Sequence, residues 1–221
     1  MNNVTQLELP LDNLIRKSEN INTLSQSIFF LHGFGSNMQD LFSLSSFFDK
    51  SWTCISLQAS IPVQFEGWAW AELDFNNIGK LPKPEQMKIH QQKVFQSIDQ
   101  CIDQLDLDPK QINLLGFSQG ASLSIYSGLK NPNKFNSVVA LSGFFPVEER
   151  IEDIDTKSVD SLKLFMGHGR HDPVVPLSLC QHTRKGLIDV GVKPYYREYD
   201  SEHTISNDCL NDVLEWLRER N

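Results

Sequence analysis

Residues 112–126 read Ile112-Asn113-Leu114-Leu115-Gly116-Phe117-Ser118-Gln119-Gly120-Ala121-Ser122-Leu123-Ser124-Ile125-Tyr126. An apolar run, a turn held between two glycines and a second apolar stretch describe a strand, a sharp bend and a helix, with Ser118 at the tip. The G-x-S-x-G spacing lifts a serine oxygen clear of the end of a parallel strand. Glycines flank it because the turn is strained and the helix lies too close to the strand for a Cβ. A serine presented this way is a candidate nucleophile, and the strand–turn–helix context is what gives so short a motif its weight.

Strand-like runs flank the elbow at 4–9, 28–31, 53–57, 112–116, 137–141, 162–166 and 195–199. Several are continuously apolar, as in strands covered on both faces. Helical periodicity is clearest over 84–105, where Met87, Val94, Ile98, Cys101 and Leu105 share one face between Pro84 and Pro109. Further helices are predicted at 40–48, 119–129, 177–190 and 205–218. Phe47 and Phe48 close the first as core residues, and Gly191 ends the third. Strands alternating with helices define an α/β protein with a mostly parallel central sheet flanked by helices. The length of 221 residues suits one domain over 1–221 better than two small ones. Two stretches read as loops: 58–82, with Pro62, Gly67, Gly79 and Pro82, and the acidic 146–160. The first is long enough to serve as a flap.

A net charge of −8 argues against nucleic acid as a partner and leaves no basic patch for anionic lipid. No apolar stretch approaches membrane-spanning length, and the first residues lack the pattern of a signal peptide. Cys54, Cys101, Cys180 and Cys209 are scattered singly, which suggests neither zinc nor a disulfide framework. Cys54 and Cys101 sit in apolar patterns and read as buried thiols. A soluble protein of a reducing, cytoplasmic compartment is the expectation.

A serine hydroxyl needs a base beside it, normally histidine, and a carboxylate to orient that histidine. On an open α/β sheet these follow in the order Ser, acid, His, each on a loop after a strand. The run 162–166 leads into Gly167-His168-Gly169-Arg170-His171-Asp172-Pro173-Val174-Val175-Pro176, which places Asp172 at a strand's carboxyl end. The run 195–199 leads into Asp200-Ser201-Glu202-His203-Thr204, which places His203 at the same edge. Ligands in open α/β sheets bind there. Backbone donors for a developing oxyanion are expected at the amides of Gln119, directly after the serine, and Phe34, in the glycine-rich loop Leu31-His32-Gly33-Phe34-Gly35-Ser36-Asn37. His171 is the rival base, but it adjoins its own acid and would point away from it. A metal reading of His168, His171 and Asp172 lacks helical His spacing and a second ligand cluster. His168 reads as structural, His32 as a support for the early loop, and His90 and His182 as surface residues on helices.

At this point the chain resembles the bacterial phospholipase/carboxylesterase family, serine hydrolases of α/β-hydrolase fold related to the acyl-protein thioesterases. The resemblance runs from about Phe29 to Leu217. It rests on ordered blocks: His32-Gly33-Phe34-Gly35-Ser36, Gly67-Trp68-Ala69-Trp70, Gly116-Phe117-Ser118-Gln119-Gly120-Ala121, Leu141-Ser142-Gly143-Phe144, Gly167-His168-Gly169 with Asp172-Pro173-Val174-Val175-Pro176, and the stretch from His203 to Leu214-Glu215-Trp216-Leu217. The family's nucleophile, acid and base map onto Ser118, Asp172 and His203, and its oxyanion amides onto Phe34 and Gln119. Where the family often has glycine before the histidine, this chain has Glu202. The resemblance implies hydrolysis of short to medium acyl esters through an acyl-enzyme. Thioesters, lysophospholipids and acylated proteins are among the substrates it leaves open.

Trp68, Trp70, Phe75, Phe144 and Phe145 are the aromatic candidates for lining a substrate site. Water releases the acyl group in such a mechanism, so no cofactor and no metal are expected. Peripheral membrane contact and a homodimer stay open. Two other readings are a non-catalytic binding protein on the same fold and a serine peptidase. The chain carries no propeller or cap domain to select peptides, which disfavours the second.

Overall fold

The computed structural model describes residues 4–20, 25–64, 66–74, 84–155 and 157–219. Ten strands and five α-helices follow one another along the described chain. They are β1 (Val4–Thr5), β2 (Asn13–Arg16), β3 (Ser27–Leu31), α1 (Met38–Phe42), β4 (Thr53–Leu57), β5 (Ile61–Pro62), β6 (Trp68–Ala69), α2 (Pro84–Leu105), β7 (Ile112–Phe117), α3 (Gln119–Lys130), β8 (Ser137–Leu141), β9 (Leu164–Gly169), α4 (Leu177–Asp189), β10 (Tyr195–Tyr199) and α5 (Asn207–Arg218). Eight strands form one sheet in the order β1-β2-β4-β3-β7-β8-β9-β10. From β4 to β10 every pairing is parallel, whereas β1–β2 and β2–β4 are antiparallel. Parallel neighbours point their carboxyl ends the same way, so the loops leaving β3, β7, β9 and β10 gather at one edge.

The continuous apolar runs serve two cores at once. Successive strand residues face opposite sides of a sheet. Phe29, Leu31, Leu114 and Met166 pack on one side with Val94 and Ile98 of α2 and Leu123 of α3. Ile28, Phe30, Leu115 and Phe165 pack on the other with Leu41 of α1 and Val213 and Trp216 of α5. Helix ends are chemically marked as well. The Asn37 side chain accepts from the Gln39 amide at the start of α1, and the Ser206 hydroxyl accepts from the Cys209 amide at the start of α5.

Several expectations need correction. The strand expected over 4–9 is only β1, and Asn13–Arg16 supplies a further strand. Asn13 turns the chain between them: its side chain accepts from the Leu7 amide and donates to the Leu7 and Leu11 carbonyls. The helix expected over 40–48 is α1 followed by a 3-10 turn, Ser43–Phe47. Phe48 is buried as expected, but Phe47 is 57% exposed, because the tighter turn swings it to the surface. His90, expected at the surface, is buried; its ring holds the Ser60 hydroxyl and the Gln86 carbonyl. The loop over 58–82 contains the β5–β6 ribbon, and its residues 65 and 75–82 lie outside the description. All four cysteines are free and buried, and burial pushes the thiols of Cys101, Cys180 and Cys209 up to about 12.

The elbow needs its glycines for contact reasons. A Cβ on Gly120 would lie 2.0 Å from the Leu31 carbonyl oxygen, and one on Gly116 would lie 2.2 Å from the Gly120 carbonyl oxygen. Backbone atoms cannot move aside as a side-chain tip can. Gly120→Ala is therefore expected to lower unfolding stability by about 3 kcal/mol or more, read as a shifted urea midpoint.

Candidate active site

Ser118 joins β7 to α3 with φ 54° and ψ −117°. That left-handed backbone costs a serine about 1–3 kcal/mol and persists only where the surroundings over-determine it. Here the Ser118 amide donates to the Leu141 carbonyl at 2.8 Å. Gly143, just past β8, packs so closely that a Cβ there would lie 2.7 Å from the Ser118 carbonyl oxygen. The loop after β3 presses from another side: a Cβ on Gly33 would lie 3.3 Å from the Ser118 Cβ.

Three side chains, far apart in sequence, form a hydrogen-bonded line. His203 Nε2 lies 3.0 Å from Ser118 Oγ, and His203 Nδ1 lies 2.7 Å from Asp172 Oδ2. A carboxylate only accepts, so Nδ1–H donates to Asp172 and the lone pair of Nε2 faces the serine hydroxyl. The Asp172 side chain is fully buried, and that of His203 is 17% exposed. Asp172 divides its two oxygens. Oδ1 accepts from the amides of Val174 and Val175 and so caps its own loop, while Oδ2 serves His203. The Phe117 ring packs 4.9 Å from the imidazole of His203, centroid to centroid. This arrangement can take a proton from a hydroxyl, hold the resulting imidazolium against a carboxylate and return the proton.

The other histidines divide by place. His171 turns outward to Asp200, with Nε2 2.7 Å from Oδ1. His168 is buried behind Asp172; its Nε2 lies 2.8 Å from the Val175 carbonyl oxygen and 3.4 Å from Asp172 Oδ2. Two oxygens around Nε2 demand a proton there. Burial holds the His168 pKa below the ordinary range. Among the described residues no group of three His, Cys, Asp or Glu side chains gathers as a metal site.

His32 braces the early loop. Its Nδ1–H donates to the Gly33 carbonyl at 2.8 Å, and its Nε2 accepts from the Ala59 amide at 3.1 Å. Gln119 opens α3, so its amide is one of the first-turn donors that the helix itself leaves unpaired. Its side chain has a role that sequence reasoning missed. Oε1 accepts from the Trp70 amide at 2.8 Å, and Nε2 donates to the Ala71 carbonyl at 2.6 Å. Trp70 Nε1 in turn donates to the His32 carbonyl, and Ser36 pairs with Trp68. The segment 68–71 thus ties the loop after β3 to the start of α3. The Gly67-Trp68-Ala69-Trp70 block was the available signal, but its binding partners lie remote in the chain.

The expected aromatic walls separate. Trp70 and Phe145 have 0% and 1% exposure and belong to the core, which corrects their expected role as open walls. Trp70 packs against the rings of His32 and His90, and Phe145 stacks on Tyr126. Phe144 is nearly buried and Trp68 half-buried. Phe75 lies outside the described residues.

Fold and site define a class, and comparison with known proteins names it. A model of the phospholipase/carboxylesterase family matches residues 17–221. Acyl-protein thioesterase 1 of Debaryomyces hansenii is 31% identical over 122 residues, spanning 54% of this chain and 53% of the relative. The chain therefore spans about half the length of that relative. Acyl-protein thioesterase 1 homolog 2 of Dictyostelium discoideum is 27% identical over 198 residues, or 83% of this chain and 86% of the relative. A carboxylesterase from Mesorhizobium loti shares the fold, with a TM-score of 0.84 at 17% identity over 98% of this chain and 99% of its own. Fold and sequence together give the chain the α/β-hydrolase fold. It belongs to the phospholipase/carboxylesterase family.

Burial lowers the His32 pKa from 6.5 to about 4. Above about pH 6.5 His32 is neutral whether the chain is folded or not. Below that, the unfolded chain takes up a proton that the folded chain refuses. Stability is thus expected to fall as pH drops from 6.5 toward 4, by about 1.4 kcal/mol per unit and about 3 kcal/mol in all from this residue. His90 and His168, also lowered by burial, act in the same direction. Urea midpoints at pH 7 and pH 5 measure the slope, and His32→Gln is expected to flatten it.

Proposed function

We propose that this protein is a serine hydrolase that cleaves carboxylic esters and thioesters through an acyl-enzyme on Ser118, acting as one α/β-hydrolase domain. The observation that carries the reading is His203 placed between Ser118 Oγ and Asp172 Oδ2 at 3.0 and 2.7 Å, on a backbone strained only at the serine end of that line.

Ser118 Oγ bonds to the acyl carbon as its proton passes to His203 Nε2. The carbonyl electrons move onto oxygen, which the amides of Phe34 and Gln119 receive. The tetrahedral species collapses, the bond to the leaving oxygen or sulfur breaks, and the proton on Nε2 goes to that atom. Water then repeats the sequence against the acyl-enzyme, again through His203. Asp172 holds the tautomer and stabilises the imidazolium. The chemistry needs no cofactor. Short to medium acyl chains fit this reading, carried on small-molecule esters, lysophospholipids or acylated proteins; the thioesterase relatives favour the thioester case.

Ser118→Ala is expected to lose p-nitrophenyl butyrate hydrolysis and labelling by a fluorophosphonate probe, with kcat down by about 10⁴-fold or more. Asp172→Asn is expected to keep the probe's access yet lower kcat by about 10⁴-fold, because the imidazole then favours the wrong tautomer. Wild-type turnover by Ser118→Ala would dismiss the acyl-enzyme. A parent protein that neither turns over nor labels would favour a binding module instead.

A further inference from the structure

A groove of about 320 Å³ opens beside His203 and is absorbed by none of the roles above. Leu41, Leu44, Phe117 and Ile205 supply its apolar lining, and Asp40 lies among them. Asp40 is exposed, and its Oδ2 accepts from the Ser36 hydroxyl at 2.7 Å, which holds the carboxylate in place. No lysine or arginine is among the residues lining the groove.

The direction of the chemistry decides what such a groove holds. A substrate carbonyl on Ser118 has its oxygen toward the Phe34 and Gln119 amides. The atom that departs must lie where His203 Nε2 can protonate it. The leaving group therefore departs over the imidazole, and the imidazole is itself a wall of this groove. We propose that the groove receives the alcohol or thiol half of the substrate, and that Asp40 favours leaving groups that carry a positive charge beside an apolar portion. The inference rests on the acyl-enzyme reading and adds a substrate class to it. Opposite charges near 4 Å in high dielectric attract by about 1 kcal/mol, a factor of about five; an anionic leaving group is disfavoured by a similar factor.

The test holds the acyl group fixed as butyryl and varies the other half. S-Butyrylthiocholine is cationic, and the S-butyryl thioester of 2-mercaptoethanesulfonate is anionic; each kcat/KM is divided by the substrate's own hydroxide-catalysed rate. The normalised cation-to-anion ratio is expected to be about ten or more at low salt, and to move toward one in Asp40→Asn and in 1 M salt. Asparagine keeps the acceptor for Ser36, so the ratio reads charge rather than a lost hydrogen bond. Leu44→Trp narrows the groove; it is expected to penalise naphthyl butyrate relative to ethyl butyrate, and to leave the preferred acyl length of p-nitrophenyl esters where it was. A ratio near one in the parent, a ratio unmoved by Asp40→Asn, or a Leu44→Trp variant that shifts acyl length instead would overturn the assignment. Hydrolysis of p-nitrophenyl butyrate separates the two levels. If it survives Ser118→Ala, the acyl-enzyme itself is wrong; if it depends on Ser118 and the ratio is one, only the groove assignment falls.

Discussion

One steric constraint organises the molecule: α3 begins in backbone contact with β3 and β7. Gly120 sits where a Cβ would strike the Leu31 and His32 carbonyls, and Gly116 where it would strike Gly120. The chain can pass from β7 into α3 only by a turn so sharp that Ser118 takes a positive φ. The same closeness brings the loop after β3 against the serine and seats Gly143 beneath it. The backbone and Cβ of the serine are thus held by packing before any partner side chain is considered. Strain at such a position is expensive for an isolated turn and supportable in a two-sided sheet protein, where buried strands cannot yield.

Around that point the site is assembled from strand ends. The parallel register from β4 to β10 sends the serine, the carboxylate and the imidazole out at one edge, although 85 residues separate Ser118 from His203. Each is then fixed locally. Asp172 spends one oxygen on its own loop and one on His203, so the same residue shapes the turn and orients the ring. Tight contact between loops reinforces this: a Cβ on Gly169 would fall 2.3 Å from the Glu202 carbonyl oxygen, so the end of β9 and the His203 loop lie against one another. Gln119 does comparable work on the other side through Trp70 and Ala71.

Much of this was legible in the sequence, for a physical reason. Ser118 and Asp172 each follow a largely apolar run that reads as a buried strand, His203 follows the shorter, part-exposed strand Tyr195–Tyr199, and the topology of open sheets then brings their loops together. Helix α2 was legible between its two prolines because an amphipathic face repeats over many turns. The misses share a cause too. Trp70 and Phe145 are apolar aromatics next to the site in sequence, and only the direction of each ring decides between wall and core. Phe47 and His90 went astray in the same way: a 3-10 turn replaced a helical one, and a polar partner, Ser60, arrived from another segment. The side-chain role of Gln119 depends on a return of the chain that no local pattern announces. Strand β2 was hidden by its brevity and by Asn13, a residue poor in strand propensity whose side chain is occupied in turning the chain.

The buried cysteines bear on what the molecule can endure. A thiol whose ionisation is displaced to about 12 presents almost no thiolate at neutral pH. Thiolate is the form that disulfide exchange and peroxide attack require. Mild oxidants would therefore find little in this fold to consume, and the core keeps its four sulfhydryls as inert packing atoms.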